Sequence, residues 1–256
     1  MTLYLIGDSH VRSISVAFGK APENFGTPAD GFAIGQFLRH PDALKPFYEE
    51  TSSEVSLNER DLQERLHAIT GLSSFRADDE NCYLLCMPYT TTVWLRFQQW
   101  RTFKPWRTSR NYREISLSDK VVEEMALSHF EYLIGFVRAL HNLDLNVAIV
   151  EAPPPRSDDR AGGLGAETLL EIDRLARDAI TVALQGVPVV RPPLSAYDPV
   201  GFLEPHFRKL KKDDRHHANY EYGALMLREI LSRSRDIFPF LDWNPDSSEV
   251  SDALQS

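Results

Sequence analysis

The hydrophobic pattern at the start of the chain predicts a short buried strand followed by a helix. Residues 3–6 form an apolar run that ends at Gly7 and is too short for a helix. Beyond a polar turn, apolar residues recur at helical spacing over residues 11–18, and Gly19 offers a stop. The pattern therefore places Ser9 at the carboxyl end of a strand and near a helix N-terminus, where open α/β sheets bind ligands.

The alternation of short apolar runs and amphipathic segments continues along the chain. Strands are predicted at residues 82–88, 146–150 and 187–190, with another within 31–37, and helices at 121–140, 166–184 and 220–232. Strands that alternate with helices of this length favour a parallel sheet covered on both faces. We therefore predict an α/β protein with a three-layer α/β/α arrangement.

Two segments do not fit a minimal three-layer domain. Residues 41–80 are charged and partly helical, and residues 90–118 carry three tryptophans and six basic residues with no acidic residue before Glu114. We expect both to be insertions in one domain spanning residues 1–242, the second lying over the carboxyl edge of the sheet. The polar, acidic tail at residues 243–256 is expected to be disordered.

The composition excludes several classes of protein. The chain has 256 residues, a net charge of −9, 43% hydrophobic and 25% charged residues, which is ordinary globular composition. The negative charge argues against general nucleic-acid binding. No apolar stretch reaches the length of a membrane span, and the first one is too short for a signal peptide. We therefore expect a cytoplasmic protein without membrane insertion.

The two cysteines, Cys82 and Cys86, fall within one predicted strand. On a strand they share a face about 13 Å apart, at a rise of about 3.3 Å per residue. A disulfide needs Cα atoms within about 7 Å, so we expect two free, buried thiols in a reducing compartment. The sharper alternative, a metal pair, lacks a second Cys or His cluster.

A second polar group of residues occurs near the end of the chain, in KKDDRHHANYEYG. Asp214 precedes His217 by three residues, just before a helix that Asn219 could cap. A carboxylate at this spacing can fix the tautomer of the imidazole, whose other nitrogen can then take a proton from a serine. Asp213 and His216 have the same spacing and are the alternative pair.

Taken together, the two ends of the chain resemble the SGNH/GDSL hydrolase superfamily. The matching residues are Gly7-Asp8-Ser9 after the first strand and Asp214-x-x-His217-x-Asn219 near the end. The resemblance implies a flavodoxin-like fold and an esterase, lipase, carbohydrate deacetylase or O-acyltransferase activity. It implies Ser9 as the nucleophile, His217 as the general base and Asp214 as its orienting partner. The GDSH variant resembles SGNH domains associated with polysaccharide O-acylation.

The middle of the family pattern is less complete. Besides the nucleophile Ser9, the family supplies an oxyanion-hole Gly after the second strand, for which Gly35 or Gly31 is the candidate. It also supplies an Asn after the third strand, where this chain has no Asn, and Tyr89, Thr90 or Thr91 are the candidate donors. Loss of one such donor costs about 10²–10³ in rate, so a different donor or slow turnover is expected.

The aromatic and basic segment at residues 90–113 is predicted to form a lid over the site. Tryptophan faces suit sugar rings, and arginine suits carboxylate or phosphate. The candidate substrate-binding residues are Trp94, Arg96, Arg101, Trp106 and Arg107. Packing with solvated arginines is the alternative role for this segment.

These observations predict a serine esterase or O-acyltransferase that forms an acyl-enzyme on Ser9. The expected substrate is an ester, with O-acetyl favoured, of a sugar or other polar molecule, and no cofactor, metal or nucleic acid is expected. One alternative is a non-catalytic binding domain that keeps the SGNH scaffold. Another is a metallophosphoesterase, since Asp8-x-His10 matches a first metal-binding block, although no further block follows. The oligomeric state stays open.

Overall fold

A five-stranded parallel sheet forms the centre of the molecule. The computed structural model describes residues 1–158, 164–210 and 217–243. From edge to edge, the sheet consists of β10 (Val189–Val190), β9 (Asn146–Val150), β6 (Cys82–Cys86), β1 (Leu3–Gly7) and β2 (Phe32–Gln36). Numbered along the chain within this sheet, the strand order is 2-1-3-4-5, which is the flavodoxin-like order. The predicted fold class is confirmed.

Helices cover both faces of this sheet. The helices are α1 (Val11–Lys20), α2 (Arg60–Thr70), α3 (Thr91–Trp94), α4 (Asp119–His129), α5 (Glu131–Asn142), α6 (Ala166–Ala183) and α7 (Tyr220–Ile237). Side chains of β1 alternate between two cores, because successive residues of a strand point to opposite faces. Leu3 and Leu5 pack with α1 and α7, whereas Tyr4 and Ile6 belong to the core that includes α2, α5 and α6.

One predicted helix is wrong in its extent. The pattern over residues 121–140 predicts a single helix, but the chain forms α4 and α5, which are separated at Phe130. The backbone of Phe130 leaves the helical region at φ −99° and ψ 12°, while its side chain is buried. No Gly or Pro marks the break, and Gly135 lies inside α5, so the sequence carries no signal for it.

The two segments predicted as insertions add no strand to the central sheet. The first forms an antiparallel sheet of β3 (Tyr48–Glu50), β4 (Glu54–Leu57) and β5 (Ser74–Arg76), together with α2. The second forms a parallel pair of β7 (Phe103–Pro105) and β8 (Ile115–Leu117). This pair packs against α6.

Cys82 and Cys86 are both free and buried, as predicted. Burial raises the pKa of the Cys82 thiol to about 12. No helix in the described parts of the chain combines the length and apolar character that a bilayer crossing requires. Apart from Trp243, the predicted tail at residues 243–256 lies outside the described residues.

The strand order creates a switch point beside β1. The chain passes from β1 to β2 on one side, and later enters β6 on the other side of β1. In sheets of this type the crevice at the carboxyl ends of the strands flanking the switch point is the usual ligand site. The turn that carries Ser9 directly follows β1 and lies at this crevice.

Candidate active site

The turn after β1 is held in a fixed shape by Asp8. Its Oδ1 accepts a hydrogen bond of 2.8 Å from the His10 amide, and its carbonyl accepts one of 3.3 Å from the Val11 amide. Asp8 and His10 are buried, whereas Ser9 between them is partly exposed. The turn therefore presents the Ser9 hydroxyl at the N-terminus of α1, where backbone amides favour negative charge.

The Asp8 carboxylate also ties this turn to the segment after β6. The Thr90 hydroxyl donates a hydrogen bond to Asp8 Oδ2. β1 and β6 approach closely at this end, because a Cβ atom on Gly7 would lie 2.6 Å from the Cys86 carbonyl oxygen. The two strands on either side of the switch point are thus joined just below Ser9.

His217 lies within hydrogen-bond distance of Ser9. Its Nε2 is 2.9 Å from Ser9 Oγ, although 208 positions separate the two residues along the chain. His217 directly precedes the strand-like contact of Ala218 with Arg208, and Asn219 caps α7 by accepting the Tyr222 amide at 3.0 Å. The predicted capping role of Asn219 is therefore confirmed.

The backbone of His217 is anchored by Arg156. One guanidinium nitrogen of this buried arginine donates to the carbonyl oxygens of Lys209 at 3.1 Å and His217 at 3.3 Å. The Lys209 amide also donates to the His217 carbonyl at 3.3 Å. These contacts hold the backbone of His217 in place and thereby position its imidazole. The sequence analysis missed Arg156, for which the only signal is its position after a strand and three prolines.

Close packing of α1 against α7 brings the two ends of the chain together. Ser9 precedes α1 and His217 precedes α7. A Cβ atom on Gly223 would lie 2.1 Å from the Ser13 carbonyl oxygen, so the backbones of the two helices nearly touch. This contact requires glycine and fixes the distance between the two helix starts.

The predicted partner of His217 cannot be compared with the structure. Asp214, together with the alternative pair Asp213 and His216, lies outside the described residues. The orienting role of Asp214 stays a prediction. His217 itself also makes an edge-on ring contact with His10, with centroids 5.3 Å apart.

The candidate oxyanion donors differ in where they lie. The Ser9 amide has no acceptor within the described part of the chain and remains available at the start of α1. Gly35 lies inside β2, where a Cβ atom would meet Ile69 of α2 at 2.7 Å, so packing accounts for this glycine. Gly31 lies just before β2, at the opposite end of that strand from Ser9.

The three side-chain donors proposed after β6 are all engaged elsewhere. The Tyr89 side chain is buried, and its hydroxyl lies 2.9 Å from Thr181 Oγ1 of α6. The Thr90 proton is donated to Asp8, and the Thr91 hydroxyl donates to Asp173. The geometry thus leaves the Ser9 amide as the best-placed of the predicted donors.

The aromatic and basic segment at residues 90–113 reaches the Ser9 region at its start, where Thr90 and Val93 line a cavity beside Ser9. Trp94 is buried, edge-on to Trp100 at 4.9 Å between ring centroids. Trp106 is 56% exposed and lies under the Arg107 guanidinium, which pairs with Asp119 at 3.2 Å and Glu171 at 3.7 Å.

Of the five predicted substrate-binding residues, none lines either cavity beside Ser9. Arg96 is partly buried, and Arg101 is exposed. Further along, the segment packs on α4 and α6 through ion pairs that the sequence does not reveal, and the lid role stays a prediction.

Two cavities meet at Ser9. The first, on the β2 side, is largely enclosed and apolar, and it also contacts His40 and His129. The second is more open, with about 310 Å³ accessible to the centre of a water molecule, and it is lined by Arg12, Lys209 and His217 among others. Ser9 lies between a small, enclosed chamber and a larger, more open groove, and the surface of both is mainly apolar.

A buried network of charged residues between α6 and the end of β9 lies next to the site, and the sequence analysis did not predict it. Arg177 of α6 pairs with Asp173 at 2.9 Å and with Glu151 at 3.2 Å, and donates to the Pro153 carbonyl at 3.1 Å. Burial raises the pKa of Glu151. The network fixes residues 151–153 as they leave β9, and the i, i+4 spacing of Asp173 and Arg177 is its only signal in the sequence.

Within residues 1–158, 164–210 and 217–243, no three His, Cys, Asp or Glu side chains are grouped so that they could hold a metal ion. Asp8 was a candidate ligand in the metallophosphoesterase alternative. Its carboxylate accepts hydrogen bonds from the His10 amide and the Thr90 hydroxyl.

The similarities between this chain and known proteins are distant. No family model matches the chain, and no curated protein matches it significantly. Solved structures that match include a proposed acylhydrolase from Bacteroides fragilis NCTC 9343, with 13% identity, a TM-score of 0.47, and 92% of this chain and 86% of that chain covered. An acetyl xylan esterase matches with 10% identity, a TM-score of 0.43, and coverage of 91% and 99%.

A proposed arylesterase from Agrobacterium tumefaciens str. C58 matches with 15% identity and a TM-score of 0.38 over 93% of this chain and 99% of that chain. At these identities the fold assignment depends on the strand order of the chain itself. That strand order, 2-1-3-4-5 within the central sheet, is flavodoxin-like.

Proposed function

We propose that the protein is a serine esterase that works through an acyl-enzyme on Ser9. The observation that carries the proposal is the 2.9 Å contact between Ser9 Oγ and His217 Nε2 at the switch point of the parallel sheet. A nucleophile within hydrogen-bond reach of a base is the arrangement that activates a serine. The fixed turn at Asp8 and the anchored backbone of His217 keep both groups in place.

The proposed reaction begins when Ser9 Oγ attacks the ester carbonyl while His217 Nε2 takes the hydroxyl proton. Negative charge then develops on the carbonyl oxygen, and the Ser9 amide at the start of α1 is positioned to donate to it. His217 returns the proton to the leaving alcohol, and the acyl group stays on Ser9. Asp214 is proposed to hold His217 in the tautomer with hydrogen on Nδ1, as the family resemblance implies.

The acyl-enzyme is resolved by water, which gives hydrolysis, or by a hydroxyl of a second substrate, which gives O-acyl transfer. In both cases His217 takes the proton of the incoming group. We propose an O-acetyl group on a sugar or other polar molecule as the substrate. The larger groove supports a polar alcohol portion, because Arg12, Lys209 and Asn219 on its lining are charged or hydrogen-bonding groups that suit hydroxylated ligands.

Hydrolysis of p-nitrophenyl acetate by matched variants tests this proposal. Ser9→Ala and His217→Ala should each lower kcat by about three or more decades, as loss of a triad member does. Ser15→Ala is the control, because Ser15 lies on α1 but lines neither cavity at Ser9. A folded wild-type protein with no Ser9-dependent activity on any ester would instead support a non-catalytic binding domain.

A further inference from the structure

We propose that the apolar cavity beside Ser9 is the acyl pocket, and that Leu44 and His129 close it so that it admits acyl chains of only two or three carbons. This inference depends on the proposed esterase function and names the acyl portion of its substrate.

The small size and the enclosure of this cavity suit a short acyl chain better than a sugar or another bulky alcohol. Ser9 stands at its mouth, and the apolar lining comes from Leu38, Ala43, Leu44, Val93, Phe130 and Leu133. A sugar ring has more heavy atoms than a cavity of about 30 Å³ can hold. The alcohol portion fits the larger and more open groove of about 310 Å³ on the other side of Ser9, so the two cavities receive the two halves of an ester.

The size of the cavity limits the length of the chain. The volume open to the centre of a water molecule is about 30 Å³. One water-sized group needs about 10–15 Å³ on the same measure, so the cavity holds about two such groups. Beyond the carbonyl, this corresponds to a methyl group or a methyl and one methylene.

Leu44 and His129 separate the cavity from a larger space. Both side chains line the acyl cavity, and both also line a neighbouring open cavity of about 600 Å³ bordered by Trp94 and Met125. A longer chain would have to pass between these two side chains. They are therefore the residues that set the limit on chain length.

The His129 side of this wall is rigid and uncharged. The imidazole is stacked on Trp94 with ring centroids 6.3 Å apart and stands edge-on to Phe97 at 5.0 Å. Burial lowers the pKa of His129 to about 4, so the ring is neutral at neutral pH and compatible with an apolar chain. A neutral, packed ring closes the cavity without repelling a short acyl group.

The test compares p-nitrophenyl esters with two, three, four and eight acyl carbons on wild type, Leu44→Ala and His129→Ala. Wild type should prefer the two- and three-carbon esters by at least about tenfold in kcat/KM over the eight-carbon ester. Each variant should raise kcat/KM for the eight-carbon ester by at least about tenfold, since each newly buried methylene is worth about fourfold. The readout is therefore the ratio of kcat/KM for the eight-carbon ester to kcat/KM for the acetyl ester in each variant.

Matched variants keep this test interpretable. Val121 lines only the outer cavity, so Val121→Ala should leave the chain-length preference unchanged. Leu44 is 45% exposed, so Leu44→Ala tests the proposal even where the buried-ring variant His129→Ala folds poorly.

A binding measurement separates this inference from the proposed function. The Ser9→Ala protein, with and without Leu44→Ala, is titrated with 4-nitroanilides carrying an acetyl or an octanoyl chain. Ser9-dependent hydrolysis with equal rates for short and long esters would overturn the acyl pocket and leave the esterase standing. Tighter binding of the acetyl compound, reversed or equalised by Leu44→Ala, supports the pocket even where no ester is hydrolysed. Equal binding of both chains before the Leu44 change would overturn it.

Discussion

Replacing Gly223 by Ala should increase the distance between Ser9 and His217 without changing either residue. Gly223 lies in the first turn of α7, six positions after His217, and faces the backbone of Ser13 in α1. The added Cβ atom would lie 2.1 Å from the Ser13 carbonyl oxygen and 2.5 Å from the carbonyl carbon. Backbone atoms cannot rotate away as a side chain can, so the two helices must separate.

The size of the effect follows from these distances. Real Cβ contacts essentially never fall below 3.0 Å, so α7 must move by about 1 Å relative to α1. Ser9 and His217 precede these helices and are joined by a hydrogen bond of 2.9 Å, which a 1 Å separation would break. A misplacement of about 1 Å at a catalytic contact costs about 10² in rate. Overpacking should also lower the free energy of unfolding by about 1–3 kcal/mol.

Ester hydrolysis and urea unfolding, measured on the same preparations, check this prediction. Gly19→Ala is the matched control, because Gly19 lies in α1 and a Cβ atom there meets nothing within 4 Å. Gly19→Ala should keep kcat and raise the free energy of unfolding by about 0.5–1 kcal/mol, since Ala favours the helix. If Gly223→Ala were folded and kept wild-type kcat, the close approach of α1 and α7 would not be what positions His217.

Three further outcomes follow from individual contacts. Arg156→Lys should lower kcat by about tenfold or more with little change in KM. The guanidinium holds the Lys209 and His217 carbonyls through Nη1 and pairs with Asp158 through Nε and Nη2, and a single ammonium cannot make both sets of contacts. Added guanidinium should partly restore kcat in Arg156→Ala, and the absence of rescue would contradict this role. Thr90→Val should lower the free energy of unfolding by about 1–3 kcal/mol, because Val leaves a buried oxygen of Asp8 without its donor. Thr90→Ser should lower it much less, and equal losses of unfolding free energy in the two variants would contradict this contact. Burial lowers the pKa of His129 from 6.5 to about 4, so the unfolded chain binds more protons than the folded one between these pH values. The free energy of unfolding should therefore fall as the pH drops from 6.5 to 4, by at most about 3 kcal/mol and by less once partial solvent screening is discounted. Urea unfolding at pH 7 and pH 5 should show a smaller loss in His129→Leu than in wild type, and an equal loss would refute the assignment.

The sequence predicted the features that depend on local pattern. The strand at residues 146–150, the turn with Ser9 after β1 and the cap at Asn219 all follow from short-range rules of burial, strand length and capping. The strand alternation predicted the parallel sheet, since such strands need helical crossovers. These features need only neighbouring residues for their explanation.

Features that depend on distant partners were not predictable in the same way. Gly35 was predicted as an oxyanion-hole glycine because of its residue type and its position in the second strand. In the structure, a Cβ atom at this position would lie 2.7 Å from the side chain of Ile69, which is 34 positions later in the chain. Arg107 looked like a substrate-binding residue in a stretch without acidic neighbours, whereas its partners Asp119 and Glu171 come from α4 and α6. The acyl cavity likewise combines Leu44 and His129 from separate elements. Tertiary packing decides these roles, and a linear pattern does not contain it.

The most direct test of the account is the site of covalent labelling by a fluorophosphonate. The reagent phosphonylates an activated serine, and peptide mass spectrometry locates the modified residue. We predict a single adduct on Ser9, formed at a rate that drops by several decades in His217→Ala, because the contact of 2.9 Å between the two side chains activates the hydroxyl. An adduct on another residue, or labelling of Ser9 that is unaffected by loss of His217, would contradict the central claim that Ser9 and His217 form the reactive pair.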